Sequence, residues 1–139
     1  MKMLVVAMSA GTLLVSTAAF AQPMATGGAG LLSSVPSSSL TVTDWYKQDV
    51  YDQSNSKIGE IMDVLVGKDG QVKAAIVGVG GFLGAGEKDV AVNFDAIKQT
   101  MKNDKVYLTM DTTKDALRKA PSFKYDSTKT TWVPDRSSK

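Results

Sequence analysis

Gly78-Val79-Gly80-Gly81-Phe82-Leu83-Gly84-Ala85-Gly86-Glu87-Lys88-Asp89-Val90-Ala91-Val92-Asn93-Phe94 is a glycine-dense loop that runs straight into an alternating apolar strand. Glycines let backbone N–H groups approach an anion closely, so the loop invites comparison with a phosphate cradle. The spacing refuses it. Read as G-x-G-x-x-G from Gly78, the third glycine is Leu83, and read from Gly84 it is Asp89. Read as a P-loop from Gly81 to Gly86, the lysine position holds Glu87 and the Ser/Thr position holds Lys88. Both motifs must also open a helix, whereas Val90 to Asn93 alternate like a strand. The glycines instead fit a tight corner between strands, where positive φ and close backbone passage are needed.

Outward from this corner, composition sets the bounds. The chain has 139 residues, no histidine, no cysteine and a formal net charge of +2. That length is one domain plus extensions. Residues 1–21 read as a secretory signal peptide: Lys2, an apolar run from Met3 to Val15, and the small-x-small site Ala19-Phe20-Ala21. Cleavage near Ala21 would start the mature chain at Gln22 in the periplasm or outside the cell; an uncleaved anchor is the alternative. Without cysteine there is no disulfide, no thiol chemistry and no lipid-attachment site. So balanced a charge gives no long-range pull toward nucleic acid or anionic lipid.

Residues 22–40 are rich in glycine, serine, alanine and proline and predict a disordered linker. The domain proper spans 41–121. A strand is expected around Asp49-Val50-Tyr51-Asp52, then a turn at Gln53 to Ser56. Lys57 to Val66 predicts a long strand whose period slips, which implies a bulge or burial on both faces. Gly67-Lys68-Asp69-Gly70 is a hairpin with the Asp-Gly signature of a primed turn. Gln71 to Val79 returns as a central strand, and Val90, Val92 and Phe94 mark the inner face of the next. Asp95 to Ile97 predicts a turn and Lys98 to Asp104 a polar connection, followed by a strand over Lys105 to Met110. A short helix follows, with Thr112 as N-cap, Asp115 in a weak capping box, Ala116, Leu117 and Ala120 as its apolar side, and Pro121 as its stop. Residues 122–139 form an extension in which Phe123, Tyr125 and Trp132 pack back in part. The class is all-β: a small antiparallel barrel with one short C-terminal helix, preceded by signal peptide and linker.

The order Tyr51-Asp52, Ile58-Gly59-Glu60-Ile61, Asp63-Val64-Leu65-Val66 with Asp69-Gly70, Val77 to Gly84, and Glu87 to Phe94 resembles the PRC-barrel domain family. The resemblance covers roughly Trp45 to Pro121, and the glycine corner with its following strand is its specific part. The form with Gly80-Gly81-Phe82-Leu83-Gly84 is similar to exported, stand-alone alphaproteobacterial members. The resemblance implies an antiparallel barrel of about six strands that docks onto larger assemblies and turns over no substrate. It carries over no catalytic or cofactor residue.

The residues themselves point the same way. The usual general base near neutral pH, the thiolate nucleophile and the common zinc and haem ligands are all missing. Glu87, Asp89 and Asp95 lie nearest the corner, but alternating charge on a solvent-facing strand explains them, so no catalytic, cofactor or metal residue is assigned. Phe82 and Leu83 differ, because they sit at the tip of a loop whose glycines keep them off the strands. With Glu87 and Lys88 as a charged rim, they make the candidate interaction surface; the alternative is that both close the barrel core. The expected partner is an unidentified protein or envelope assembly, with pairing to a second copy through an exposed barrel edge also open. Nucleic acid is not expected, and membrane contact only indirectly. A small-ligand or metal-binding barrel is the alternative function.

Overall fold

The computed structural model of the chain describes residues 30–80 and 87–137. The expected signal peptide and the Phe82-Leu83 tip therefore lie outside the described residues. The chain divides into two units at Ser39/Leu40. In the first, residues 30–39 are exposed and form neither helix nor strand, and Ser39 donates both its N–H (3.2 Å) and its hydroxyl (2.8 Å) to the Pro36 carbonyl.

Among the described residues, the second unit is one eight-stranded sheet with two short helices and one 3-10 turn. Its elements are α1 (Val42–Trp45), β1 (Asp49–Tyr51), β2 (Lys57–Val66), β3 (Val72–Val79), β4 (Lys88–Asn93), a 3-10 turn (Phe94–Ala96), β5 (Ile97–Lys102), β6 (Lys105–Met110), α2 (Lys114–Lys119), β7 (Phe123–Asp126) and β8 (Thr131–Pro134). The sheet order is β5-β6-β1-β2-β3-β4-β7-β8. This order forces the sheet to roll. A flat sheet would hold β4 and β5 apart by five strand spacings, about 24 Å. The turn joining them has only three residues, and the four chain steps across it reach about 14 Å at most. The first six strands in the order therefore curl into a barrel, and β7–β8 continues the sheet beyond β4.

The core lies inside that curl. Val50, Ile58, Ile61, Ala75, Val77, Val90 and Leu108 are fully or almost fully buried in one cluster. The expected slip in β2 is present as a register shift between Ile61 and Asp63, which leaves Met62 as the extra residue and lets the strand bend around the barrel. Ile76 is buried on the opposite, outer face, because neighbours along a strand point to opposite sides. One end of the barrel is covered by α1. Thr41 caps this single turn by accepting the Asp44 N–H (3.2 Å). The turn delivers Trp45 to the core, where its ring stacks on Phe94 (centroids 4.6 Å apart, 26° between planes) and its indole N–H donates to Gln99 Oε1.

The expected all-β class holds, and several local expectations are revised. The β2–β3 hairpin forms, but only Gly70 has positive φ (+77°), so its turn is an ordinary one closed by a left-handed glycine. The primed turn lies instead at Asn103-Asp104, both left-handed (φ 52° and 59°) and framed by the Lys102–Lys105 pair. Strand β5 (Ile97–Lys102) takes Ile97 from the expected turn and Lys98 to Lys102 from the expected polar connection over Lys98 to Asp104. The α2 N-cap is Thr113, whose hydroxyl accepts the Ala116 N–H (3.1 Å), one residue beyond Thr112. The sheet is not wholly antiparallel, since β1 and β6 run parallel through Val50–Leu108 and Tyr51–Thr109.

Candidate functional site

Alternation along β4 separates the residues that sequence reasoning grouped at the glycine corner. Lys88 pairs with Val79 and shares the inward side with Val90. Its ammonium donates to the Arg118 carbonyl, one of the carbonyls that the end of α2 leaves without a helical partner. Lys88 therefore braces a helix end and does not join a charged rim with Glu87. The Glu87 carboxylate turns to the outer face and lies over Gly78: a Cβ added at Gly78 would collide with Glu87 Oε1 and come within 2.9 Å of Met62 Cγ. That close approach is what requires glycine here.

Register then fixes what stands beside Gly78 on the outer face. Glu60 of β2, Gly78 of β3, Asp89 of β4 and Phe123 of β7 are partners in one row across four strands. Glu60, Gly78 and Glu87 line a hollow of about 390 Å³, with Lys57 and Lys114 as its cations. Lys57 is shared out already, at 2.6 Å from Asp49 and 3.9 Å from Glu60, and the hydrogen bond to Asp49 raises its pKa. Asp89 carries the most perturbed environment in the row. Its Oδ1 is buried and accepts no hydrogen bond among the described residues, and burial, reinforced by the Glu87 charge, pushes its pKa up. Asn93, two turns of alternation further on, is spent as a cap, accepting the Asp95 N–H at 3.1 Å. Among the described residues, no group of three or more acidic side chains is arranged to hold a metal ion.

A second surface, which the strand pattern did not single out, lies at the α1 end of the barrel. The inward face of β2 runs out past the core as Val64 and then Val66, and Val66 pairs with Val72. Leu40 (51% exposed), Val42 (63%), Val66 (60%) and Val72 (38%) form an apolar rim there. Trp45, Val64 and Phe94 wall a shallow groove beside it. The signal in the sequence was the apolar spacing of Leu40, Val42 and Trp45 around a capped turn.

The C-terminal hairpin completes the outer face. β7 joins β4 through Asp89–Phe123, and Trp132 on β8 donates its indole N–H to Asp63 Oδ2 (2.8 Å). Asp63 pairs with Ile76 and so shares its face. The indole thus lies on the side of the sheet that carries buried Ile76. Among the described residues no helix is long and apolar enough to cross a membrane.

No curated protein matches the chain in sequence. The profile of the PRC-barrel domain matches residues 39–117, from just ahead of the α1 cap to the buried Leu117 of α2. That interval contains the six curled strands, α1 and the first part of α2 and leaves out the β7–β8 hairpin, so the chain belongs to the PRC-barrel family, with a C-terminal hairpin added to the outer face.

Proposed function

We propose that the chain is a non-catalytic module, exported to the periplasm, that docks onto a protein partner through the α1 end of its barrel. The observation that supports this is the rim of Leu40, Val42 and Val72, three exposed apolar side chains that line one groove, with exposed Val66 paired to Val72. Isolated exposed apolar residues are ordinary, but a contiguous patch against a groove is what protein interfaces use. Family membership supports a small module, and the makeup of residues 1–21 supports export. The Phe82-Leu83 tip with Glu87 is a second contact region in this reading.

Site-specific photocrosslinking in intact cells tests it. A crosslinker at Val42 or Val66 captures one discrete protein, which is the partner or a second copy of the chain, while a crosslinker at exposed Lys129 captures none. Equal capture from all three positions, or none, overturns the docking surface. A crosslinker at Leu83 separates the two contact regions. Terminal sequencing of the periplasmic protein should begin at Gln22; an intact Met1 terminus in the cytoplasm overturns export.

A further inference from the structure

A cleft of about 450 Å³ opens on the outside of the barrel where β1 meets the β5–β6 hairpin. Its charged lining is cationic throughout: Lys102 and Lys105, with Asn55, Asn103, Tyr51 and Tyr107 beside them. Lys102 and Lys105 are direct cross-strand partners. Like charges opposite one another on a sheet destabilise it, and among the described residues neither ammonium has a carboxylate partner. Asp49, whose carboxylate lies 3.5 Å from the Tyr51 hydroxyl, is already held by Lys57 at 2.6 Å. The outward side of the same hairpin also carries Lys98, in register with Thr109.

The wall of the cleft is built with more order than a solvated lysine pair needs. Tyr51 and Tyr107 stack across the β1–β6 boundary with centroids 4.7 Å apart and 20° between planes. Lys102 Nζ lies 4.8 Å from the Tyr107 centroid. The Tyr107 hydroxyl donates to Asn55 Oδ1 (2.9 Å), which leaves the Asn55 amide N–H groups as donors. Asn55 itself is held in the left-handed region (φ 61°).

The geometry points to a binding site for a phosphorylated sugar-sized ligand, with Lys102 and Lys105 clasping the phosphate and the tyrosine wall packing the ring. An anion between the two ammonium groups removes their repulsion, and lysine binds phosphate as a point charge. The volume falls in the range of small organic ligands and is generous for a bare ion. The phosphate chemistry is common to a free sugar phosphate and to a phospholipid headgroup, and the two sources separate by experiment.

Titration calorimetry on the full mature chain would use glucose 6-phosphate, inorganic phosphate and glucose at low salt, with sedimentation of vesicles containing phosphatidylglycerol as a parallel arm. Glucose 6-phosphate should bind at least tenfold more tightly than inorganic phosphate, and glucose should not bind. The K102Q/K105Q double variant should lose at least tenfold in affinity while melting no lower than the parent. The charge-matched K98Q/K119Q variant should keep affinity within about threefold. Tyr107→Leu should weaken glucose 6-phosphate more than inorganic phosphate. Binding confined to vesicles, and lost in K102Q/K105Q, assigns the headgroup as the source. No binding in any arm, or binding that K102Q/K105Q leaves unchanged, overturns the site.

Discussion

Replacing Gly59 by alanine tests the packing that holds β2 against β3. Gly59 pairs with core-facing Val50 on β1, and its own absent side chain would point into the barrel. An added Cβ would stand 2.5 Å from Val77 Cγ1 and 2.9 Å from the Gly78 carbonyl oxygen. Ordinary contacts begin near 3.4 Å, so one neighbour must retreat by about 1 Å and the other by about half that. Val77 is fully buried and the oxygen belongs to the backbone, so neither retreats freely. Overpacking of this kind costs about 1–3 kcal/mol. Reduced freedom of the unfolded chain returns about 0.4–1 kcal/mol, since Gly59 does not need positive φ. The net loss should be about 1–2 kcal/mol, a fall in Tm of roughly 4–16 °C for a domain of this size. Val77→Ala alone should cost about 2 kcal/mol through lost burial and cavity. In the double variant the new methyl enters the space Val77 vacates and only the backbone contact remains. The pair should therefore be about 1 kcal/mol less damaging than the sum of the singles. Urea unfolding followed by circular dichroism measures all three. An unchanged midpoint for Gly59→Ala, or strict additivity in the double variant, refutes the reasoning.

Three further outcomes are expected. The raised pKa of Asp89 means that the folded chain keeps a proton the unfolded chain has released; this contribution to stability is complete below the usual aspartate range near about 3.9 and disappears as pH rises through the elevated value. Asp89→Asn should therefore raise Tm at pH 7 and leave it unchanged near pH 3, and a Tm that falls at pH 7 contradicts the assignment. Trp132→Phe deletes the donor to Asp63 and should cost about 1–2 kcal/mol, seen first as faster hydrogen exchange across Phe123 to Pro134. Asp104→Gly removes a side chain from the left-handed region (φ 59°) and should stabilise the β5–β6 hairpin by up to about 1 kcal/mol, read as a higher urea midpoint.

The strands with an alternating or continuous apolar signal were legible in the sequence to within a residue. β2, β4 and β6 owe this to Ile61, Val90, Val92, Val106 and Leu108, whose apolar side chains mark the core face of each strand in the sequence itself. β5 was not legible because Lys98, Thr100 and Lys102 face water and Gln99 occupies an inward position, serving as the acceptor for Trp45. The Asn103-Asp104 dipeptide was the available signal for it, overshadowed by the glycine of Asp69-Gly70. The parallel pairing of β1 with β6 leaves no local trace, since Val50 and Leu108 meet only when the barrel closes. At the candidate site, the strand period placed Asp89 and Glu87 on the outer face. It did not reveal that Lys88, one step away, would be drawn to the end of α2.

The β1–β6 ladder has a consequence for how this barrel opens and shuts. The other ladders within the curl join strands that follow one another in sequence, so this two-residue parallel join is the one between strands distant in the chain, and a line along which the curl would part. Tyr51 and Tyr107 sit astride it, one on each lip. A molecule seated against both rings would act as a clasp, and its departure would loosen the curl along that line.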